Sequence, residues 1–239
     1  MRTVAALTGA TLALLIGAAQ PHAAGPRLVG EARTETAFRL YDLDAFPGLV
    51  AVGDHAVIAR PGAPSRAAET ASTADGLAPH FELHRIERGH VDGGDVLRIG
   101  KRLYVGRSTR TDGAGVVALA ELVRPLGYEV IETELRDCLH LKTGATLAGP
   151  DASGAIVLLY CEQSVDPEQF AAVEPMAVDA GEPAAANCVR AGDQLILPAG
   201  NPKTADRLRD RGFVVLEVDA SELQKAEAGV TCMSLIDER

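Results

Sequence analysis

The sequence is poor in aromatic residues and contains no tryptophan. Phe, Trp and Tyr together make up 4% of the 239 residues, too few for the stacking surfaces that bind single-stranded nucleic acids. Basic residues are also outnumbered, because 33 Asp and Glu oppose 23 Lys and Arg and leave a formal net charge of −10. Since affinity for phosphate backbones depends on Lys and Arg, this composition argues against a nucleic-acid-binding protein.

Cysteine is scarce, and no two cysteines form a Cys-x-x-Cys pair. A chain of this length with 4 cysteines is not a disulfide scaffold, and their spacing excludes zinc-ribbon and thioredoxin motifs. The sequence also lacks a P-loop and a Gly-x-Gly-x-x-Gly motif, so nucleotide chemistry has no support. With 47% apolar and 23% charged residues, the composition is that of a globular protein with a buried core.

The N-terminus is typical of a secretory signal. Arg2 supplies a positive charge, residues 4–19 carry none, and Gly17-x-Ala19 offers the small residues that a signal peptidase requires. The apolar run is short for a membrane span. We therefore divide the chain into a signal-like segment, residues 1–24, and one domain, residues 25–239. The alternatives are that residues 1–24 form a buried N-terminal element or that the start of the chain is misassigned.

Two stretches of the domain show the same order of predicted elements. Residues 95–135 and residues 186–219 each predict a strand, a glycine turn, a second strand, a helix and a third strand. The predicted helices are 113–127 and 201–212, the strands after them are 128–135 and 213–219, and further strands are predicted at 55–59 and 81–87. A ββαβ repeat of roughly 45 residues is typical of propellers and arrays. Because such units bring their loops to one central mouth, a site there draws residues from distant parts of the chain.

Three short segments carry side chains suited to catalysis. Residues 90–95 hold Asp92 before two glycines, residues 139–144 hold His140, and residues 229–234 hold Cys232. Each segment alone is more typical of a structural role, such as a core histidine or a small buried thiol. Together they supply the thiol, imidazole and orienting carboxylate of nucleophilic catalysis.

These segments resemble the dimethylarginine dimethylaminohydrolase family of the guanidine-modifying pentein, or amidinotransferase-like, superfamily. The similarity extends from about Asp54 to Leu235, and its matching segments are RPGAPSR (60–66), VDGGDVLRIGKRLYVGRSTRT (91–111), CLHLKTG (138–144), AANC (185–188), LPAGNPKT (197–204) and GFVVLEVDASELQKAEAGVTCMSL (212–235). Related arginine deiminases usually carry an acid two residues after the histidine. Lys142 occupies that position here, which favours the dimethylarginine branch.

The resemblance implies an α/β fold, namely a five-bladed α/β propeller of ββαβ repeats with an incomplete first blade. It implies Cys232 as nucleophile, His140 as general acid and base, and Asp92 as the carboxylate that holds the triad or the guanidinium. Arg66 and Arg110 match arginines that bind the α-carboxylate of the substrate. The implied reaction converts N-omega-methylated arginine to citrulline and an alkylamine through an S-alkylthiouronium intermediate, with no metal or organic cofactor.

The resemblance also sets expectations about partners and location. The expected partner is a small guanidino amino acid, with no nucleic acid and no membrane in the mature form, and a homo-oligomer is left open. The expected location is cytoplasmic, where a reducing environment protects a reactive thiol. Export is the alternative, given residues 1–24.

The sequence departs from the family pattern in its substrate-binding segments. The family has an acidic stretch like FPDSVFVED, whereas this chain passes from Phe46-Pro47 directly to residues 48–54. Asp42 and Asp44 are candidates to replace the missing acids. Ala226 stands where the family tends to have a larger aliphatic residue, six positions before Cys232. These departures leave a second hypothesis, an impaired or divergent relative that binds a guanidino compound or a partner, and a third, a deiminase or amidinotransferase acting on another guanidine.

One further pattern suggests a metal. His80 and His84 are four residues apart, as zinc ligands on a helix would be. The surrounding residues predict a strand, and no third ligand is evident in the sequence, so we interpret this spacing as a coincidence.

Overall fold

The computed structural model describes residues 27–33, 37–42, 49–62, 69–225 and 228–233. The signal-like segment 1–24 lies outside these ranges. Within them, every helix is too short or too polar to span a bilayer. The described chain is an α/β structure of short strands and helices.

The strands fall into one hairpin and four small sheets. The strands are β1 (Arg27–Arg33), β2 (Ala37–Asp42), β3 (Leu49–Val52), β4 (His55–Ile58), β5 (Glu82–Arg85), β6 (Val96–Ile99), β7 (Arg102–Arg107), β8 (Glu129–Glu134), β9 (Ala145–Pro150), β10 (Ile156–Tyr160), β11 (Glu174–Ala177), β12 (Val189–Ala191), β13 (Gln194–Pro198) and β14 (Val214–Val218). The helices are α1 (Glu69–Leu77), α2 (Gly113–Val123), α3 (Leu141–Gly144), α4 (Pro202–Asp210) and α5 (Ser221–Lys225).

The four sheets share one construction. In each, two strands form an antiparallel hairpin and a third strand pairs in parallel with the second, giving the orders β3-β4-β5, β6-β7-β8, β9-β10-β11 and β12-β13-β14. A helix joins the second strand to the third in three sheets (α1, α2 and α4). The predicted ββαβ repeat is therefore confirmed. Strands β1 and β2 form a separate antiparallel pair.

Glycine turns explain why the two predicted repeats begin alike. Gly100 and Gly192 each open a two-residue connection between antiparallel strands, with φ of +59° and +63°. Such turns twist the chain in the sense that the strands require, and they need positive φ, which glycine adopts without steric cost.

The helix ends differ slightly from the predicted ones. Helix α2 ends at Val123, and a 3-10 turn, Arg124–Leu126, follows. Pro125 cannot donate a backbone hydrogen bond, so the regular helix stops before it. Helix α4 spans Pro202–Asp210, inside the predicted 201–212.

Apolar clusters join the sheets in chain order. Val57 of β4 shares a cluster with Val105 of β7, Tyr104 of β7 shares one with Leu158 of β10, and Val157 of β10 shares one with Leu195 of β13. The middle strand of each sheet is thus buried, and the loops at the strand ends remain available for a site.

Candidate active site

Asp92 and His140 are brought together from positions far apart in the sequence. Asp92 directly precedes a 3-10 turn, Gly93–Asp95, and His140 directly precedes α3. The Nε2 of His140 lies 3.3 Å from the Oδ2 of Asp92, and the two side chains are 11% and 1% exposed. No group in the described ranges forms an aligned hydrogen bond to this Nε2, although the atom is buried.

The His140 ring is seated against a glycine. A Cβ on Gly94 would lie 2.9 Å from the Cγ of His140 and 3.0 Å from its Cδ2. Contacts this short would force the ring to move. The second glycine after Asp92 therefore lets the loop approach the imidazole, as the sequence pattern suggested.

Asp95 holds the backbone beside both residues. Its Oδ1 accepts a hydrogen bond from the Leu141 amide at 3.0 Å, directly after His140. Its Oδ2 accepts from the hydroxyls of Ser108 and Thr111, both at 2.6 Å. Burial raises the pKa of Asp95, while these hydrogen bonds act in the opposite direction. Asp95 was not predicted as a site residue, although it follows directly after Asp92-Gly93-Gly94 in the sequence.

Thr111 links this network to Asp92. Its hydroxyl oxygen accepts a hydrogen bond from the Asp92 amide at 3.0 Å while donating to Asp95. The backbone of Asp92 and the carboxylate of Asp95 are thus held by the same loop, residues 108–112. Buried hydrogen bonds of this kind hold the Asp95 side chain and the Asp92 backbone in one arrangement.

The segment that carries Cys232 is tied to the segment that carries His140. Cys232 lies in a 3-10 turn, Val230–Met233, and its side chain is outside the described part of the structure. Next to it, the Thr231 amide donates to the Oδ1 of Asn187 at 3.0 Å. The Nδ2 of Asn187 donates to the Thr231 hydroxyl at 2.8 Å and to the carbonyl of Lys142 at 2.7 Å.

Asn187 is a second residue of the candidate site that was not predicted from the sequence. It is 5% exposed, and a Cβ added to Gly229 would overlap its amide group. The only sequence signal was its place beside Cys188 in the AANC segment.

The predicted substrate-binding residues are only partly described. Arg110 is half-buried in the β7–α2 loop, and its amide donates to the Ser108 hydroxyl at 2.9 Å. Its backbone packs against Gly62, where a Cβ would lie 2.9 Å from the Arg110 carbonyl oxygen. Arg66 and Ala226 lie outside the described residues.

The other three cysteines are poor candidates for the nucleophile. Cys188 is buried, with its sulfur 3.1 Å from the Thr146 hydroxyl, and burial raises the pKa of its thiol to about 12. Burial also raises the pKa of Cys138. Cys161 is 7% exposed within an apolar cluster. Because the thiolate is the reactive form, these environments disfavour reaction.

The sequence and the fold both have characterised relatives. No family model matches the sequence. The N(G),N(G)-dimethylarginine dimethylaminohydrolase of Pseudomonas aeruginosa is 34% identical over 183 residues, covering 75% of this chain and 70% of the relative. The enzyme of the same name from Streptomyces coelicolor is 38% identical over 182 residues, covering 75% and 68%. The chain belongs to the dimethylarginine dimethylaminohydrolase family.

A solved structure from the dimethylarginine dimethylaminohydrolase family has the same fold. A cysteine-to-serine mutant of the Pseudomonas aeruginosa protein, complexed with citrulline, superposes with a TM-score of 0.72 at 33% identity. The superposition covers 80% of this chain and 74% of that one. The α/β fold is therefore that of the dimethylarginine dimethylaminohydrolases.

Proposed function

We propose that this chain hydrolyses N-omega-methylated arginine to citrulline and an alkylamine. The observation that carries the proposal is the buried contact of 3.3 Å between His140 and Asp92. Asn187 ties the backbone after His140 to the residue before Cys232, which supports a site that draws on both segments. Membership of the dimethylarginine dimethylaminohydrolase family supports the same reaction.

The finer architecture that we propose is a five-bladed α/β propeller. The four three-stranded sheets would supply four blades, and the β1–β2 pair would supply a fifth, incomplete one. The apolar clusters that join consecutive sheets support this arrangement. The domain would extend over residues 25–239.

Cys232 is the proposed nucleophile. A guanidinium carbon is a poor electrophile because its charge is delocalised, and a thiolate is the strongest nucleophile among protein side chains at neutral pH. The Cys232 sulfur would bond to the guanidinium carbon, and the bond from that carbon to the methylated nitrogen would break. The intermediate is an S-alkylthiouronium.

His140 is the proposed acid and base, with Asp92 beside it. His140 would protonate the departing alkylamine and then remove a proton from the water that attacks the intermediate. That attack breaks the carbon–sulfur bond, releasing citrulline and returning Cys232 to its thiolate form. Within the described ranges the Nε2 of His140 has no aligned hydrogen bond, which supports this role, since buried polar atoms nearly always have hydrogen-bond partners and here the substrate or the Cys232 thiol would be one.

The proposed substrate contacts follow the family resemblance. Arg66 and Arg110 would bind the α-carboxylate of the amino acid, because guanidinium groups pair with carboxylates in a two-pronged geometry. The packing of the Arg110 loop against Gly62 brings Arg110 near the start of the segment that holds Arg66. Ala226 would line the site beside the substrate.

A citrulline-release assay tests the proposal. Wild type, incubated with asymmetric dimethylarginine, should release citrulline and dimethylamine in equal amounts. Cys232→Ala and His140→Asn should each lower the rate by about a thousandfold or more, since each removes a member of a unit that acts together. Cys161→Ala, which removes a buried thiol outside the site, should retain the rate. Equal citrulline release by wild type and Cys232→Ala would overturn the proposal.

A second candidate function is supported by one feature of the sequence. Residues 46–53 contain no carboxylate, whereas the family's acidic stretch holds the guanidinium and the α-amino group. A divergent relative would then bind a guanidino compound without turning it over. Alkylation by iodoacetamide at neutral pH separates the two: an enzyme should label at Cys232 well before the other three cysteines, and a binding protein should not. A panel of guanidines would identify a deiminase or amidinotransferase.

The proposed partner is a small guanidino amino acid, and the proposed location is the cytoplasm. A reducing compartment would keep the Cys232 thiol from oxidation. Export remains the alternative because of residues 1–24. N-terminal sequencing of the mature protein distinguishes the two, since a signal peptide would be removed.

A further inference from the structure

We propose that His55, Glu82 and His84 bind one divalent transition-metal ion of the zinc class. One ligand atom from each residue lies within 4.8 Å of the others. The cluster lies on the sheet β3-β4-β5, and its role is independent of the proposed reaction. Imidazole and carboxylate are ligands that zinc uses in proteins.

Strand pairing places the three side chains on one face. His55 begins β4 and Glu82 begins β5, and the two residues are directly paired in the parallel ladder. His84 is two residues after Glu82, so its side chain projects from the same face of β5. The backbone hydrogen bonds of the ladder thus hold the three Cα atoms in place before any metal binds.

Two of the three ligand–ligand distances are close to the edges of a zinc coordination tetrahedron. The Nδ1 of His55 lies 3.1 Å from the Nε2 of His84 and 3.5 Å from the Oε2 of Glu82. Zinc–ligand bonds of about 2.0–2.1 Å imply separations of about 3.3–3.4 Å between tetrahedral ligand atoms. The Glu82 side chain is 69% exposed, so it can turn toward the ion at little cost.

A hydrogen bond between the rings of His55 and His84 holds the two ligand nitrogens close together when no metal is bound. One ring nitrogen donates to the other across the 3.1 Å separation, and a metal ion would replace that shared proton while both nitrogens act as electron-pair donors. Water would complete the coordination as the fourth ligand. The ion would then join β4 to β5, two four-residue strands.

The proposed site contains His84 but not His80, so the spacing of these two histidines keeps its interpretation as a coincidence. The sequence offered only His80 as a partner, and no third ligand was evident. In the fold, the partners of His84 are Glu82 on its own strand and His55, which is 29 residues away. The parallel ladder creates the cluster, so sequence spacing could not reveal it.

Zinc binding to the full chain tests the proposal, with the Cys232→Ala variant as the starting protein. That background removes the thiol, a competing zinc ligand. Equilibrium dialysis should find one zinc ion per chain. His55→Ala and His84→Ala should each weaken binding by about a hundredfold or more, because losing even an outer-shell partner costs 10–100-fold. His80→Ala is the matched control and should bind zinc as the background does.

Two further measurements separate the loss of a zinc ligand from a loss of folding in the variants. Glu82→Gln changes an exposed side chain, so it should preserve the fold measured by circular dichroism in EDTA and still weaken zinc binding. Saturating zinc should raise the melting temperature of the background protein by mass action and leave that of the His55→Ala/His84→Ala double variant unchanged. Zinc binding that survives His84→Ala, or no binding by the background protein, would overturn the proposal.

Discussion

At the scale of single residues, the geometry of the candidate site depends on side chains that position the proposed catalytic residues without reacting themselves. Asn187 uses both ends of its amide, since it accepts from the Thr231 backbone and donates to the Lys142 carbonyl. These hydrogen bonds join two segments that are otherwise far apart in the chain. We therefore expect Asn187 to be a positioning residue that sets the separation between His140 and Cys232.

Replacing Asn187 with alanine should lower kcat more than it raises KM. The loss of the amide frees Thr231 and Lys142 to move, which changes the approach of the thiol to the substrate. We expect a fall in kcat of about a hundredfold, because small misplacements of reacting groups cost that much. Stopped assays with varied dimethylarginine give kcat and KM, and alkylation of Cys232 gives a readout that does not depend on turnover.

Asn201 supplies the matched control for this substitution. It is also a buried asparagine, 4% exposed, and its Nδ2 donates to the Pro198 carbonyl at 2.8 Å. Asn201→Ala should cost similar stability, about 1–3 kcal/mol, while leaving kcat per folded molecule unchanged. A positioning role for Asn187 is wrong if both variants lose activity only in proportion to their unfolded fraction.

The sequence could indicate the reactive residue types but not the residues that position them. Asp92 and His140 were predicted because their chemistry and their resemblance to the family are visible in short segments. Asp95 and Asn187 matter through the distant backbone groups that they satisfy, Leu141 for one and Thr231 for the other. Those partnerships exist only in the folded chain.

At the scale of elements, the start of α2 organises the loop before Asp92. Asp112 caps the helix, since its Oδ1 accepts from the Gly115 amide at 2.8 Å. The same carboxylate accepts from the His90 amide at 3.1 Å, and its Oδ2 lies 2.9 Å from the Nδ1 of His90. One side chain therefore fixes both the helix and the segment that leads to Asp92.

Asp112→Ala should reduce the free energy of unfolding by about 1 kcal/mol, the usual loss for an N-cap. Asp112→Asn keeps an oxygen that can accept from Gly115, so it should lose less. Urea unfolding followed by circular dichroism measures both values. Equal losses in the two variants would show that the negative charge, and not the cap, is what stabilises this end of α2.

The elements of the sheet β9-β10-β11 were not predicted, unlike the two glycine-turn repeats. Its parallel connection contains a 3-10 turn, Pro167–Gln169, where the other sheets have an α-helix. The helical periodicity that revealed the other repeats is therefore missing from this stretch. Tertiary packing supplies the order instead, since Leu158 of β10 is fully buried between neighbouring sheets.

At the scale of the whole molecule, ion pairs supplement the apolar contacts between sheets. Arg211, in the turn before β14, donates to Asp151 beyond β9 and to Glu174 of β11, both at 2.6 Å. Hydrogen bonds from Ser153 and Arg211 hold the pKa of Asp151 well below its usual range. The last two sheets are thus joined at their edges by a charged group as well as by their shared apolar cluster.

The stability of the molecule should fall in acid partly because of Asp151. Its lowered pKa means that its contribution is present above the unfolded value of about 3.9 and is lost as the pH falls toward the folded value. Asparagine has nearly the same shape as aspartate but no charge, so the melting temperature of Asp151→Asn should be lower than that of wild type at pH 7. That difference should shrink as the pH is lowered from about 5 toward 2. A difference that stays constant over this range would assign the effect to hydrogen bonding alone.

His140 and Cys232 both follow the third strand of a ββαβ unit, β8 in one copy and β14 in another. They therefore come after the same strand of two repeat units, although α5 lies between β14 and Cys232 and no helix lies between β8 and His140. Duplication of one ββαβ unit would place two equivalent loops in the same region of the fold. If His140 transfers protons and Cys232 forms the covalent bond, as we propose, the equivalent loops of two repeat units have taken different roles in one reaction.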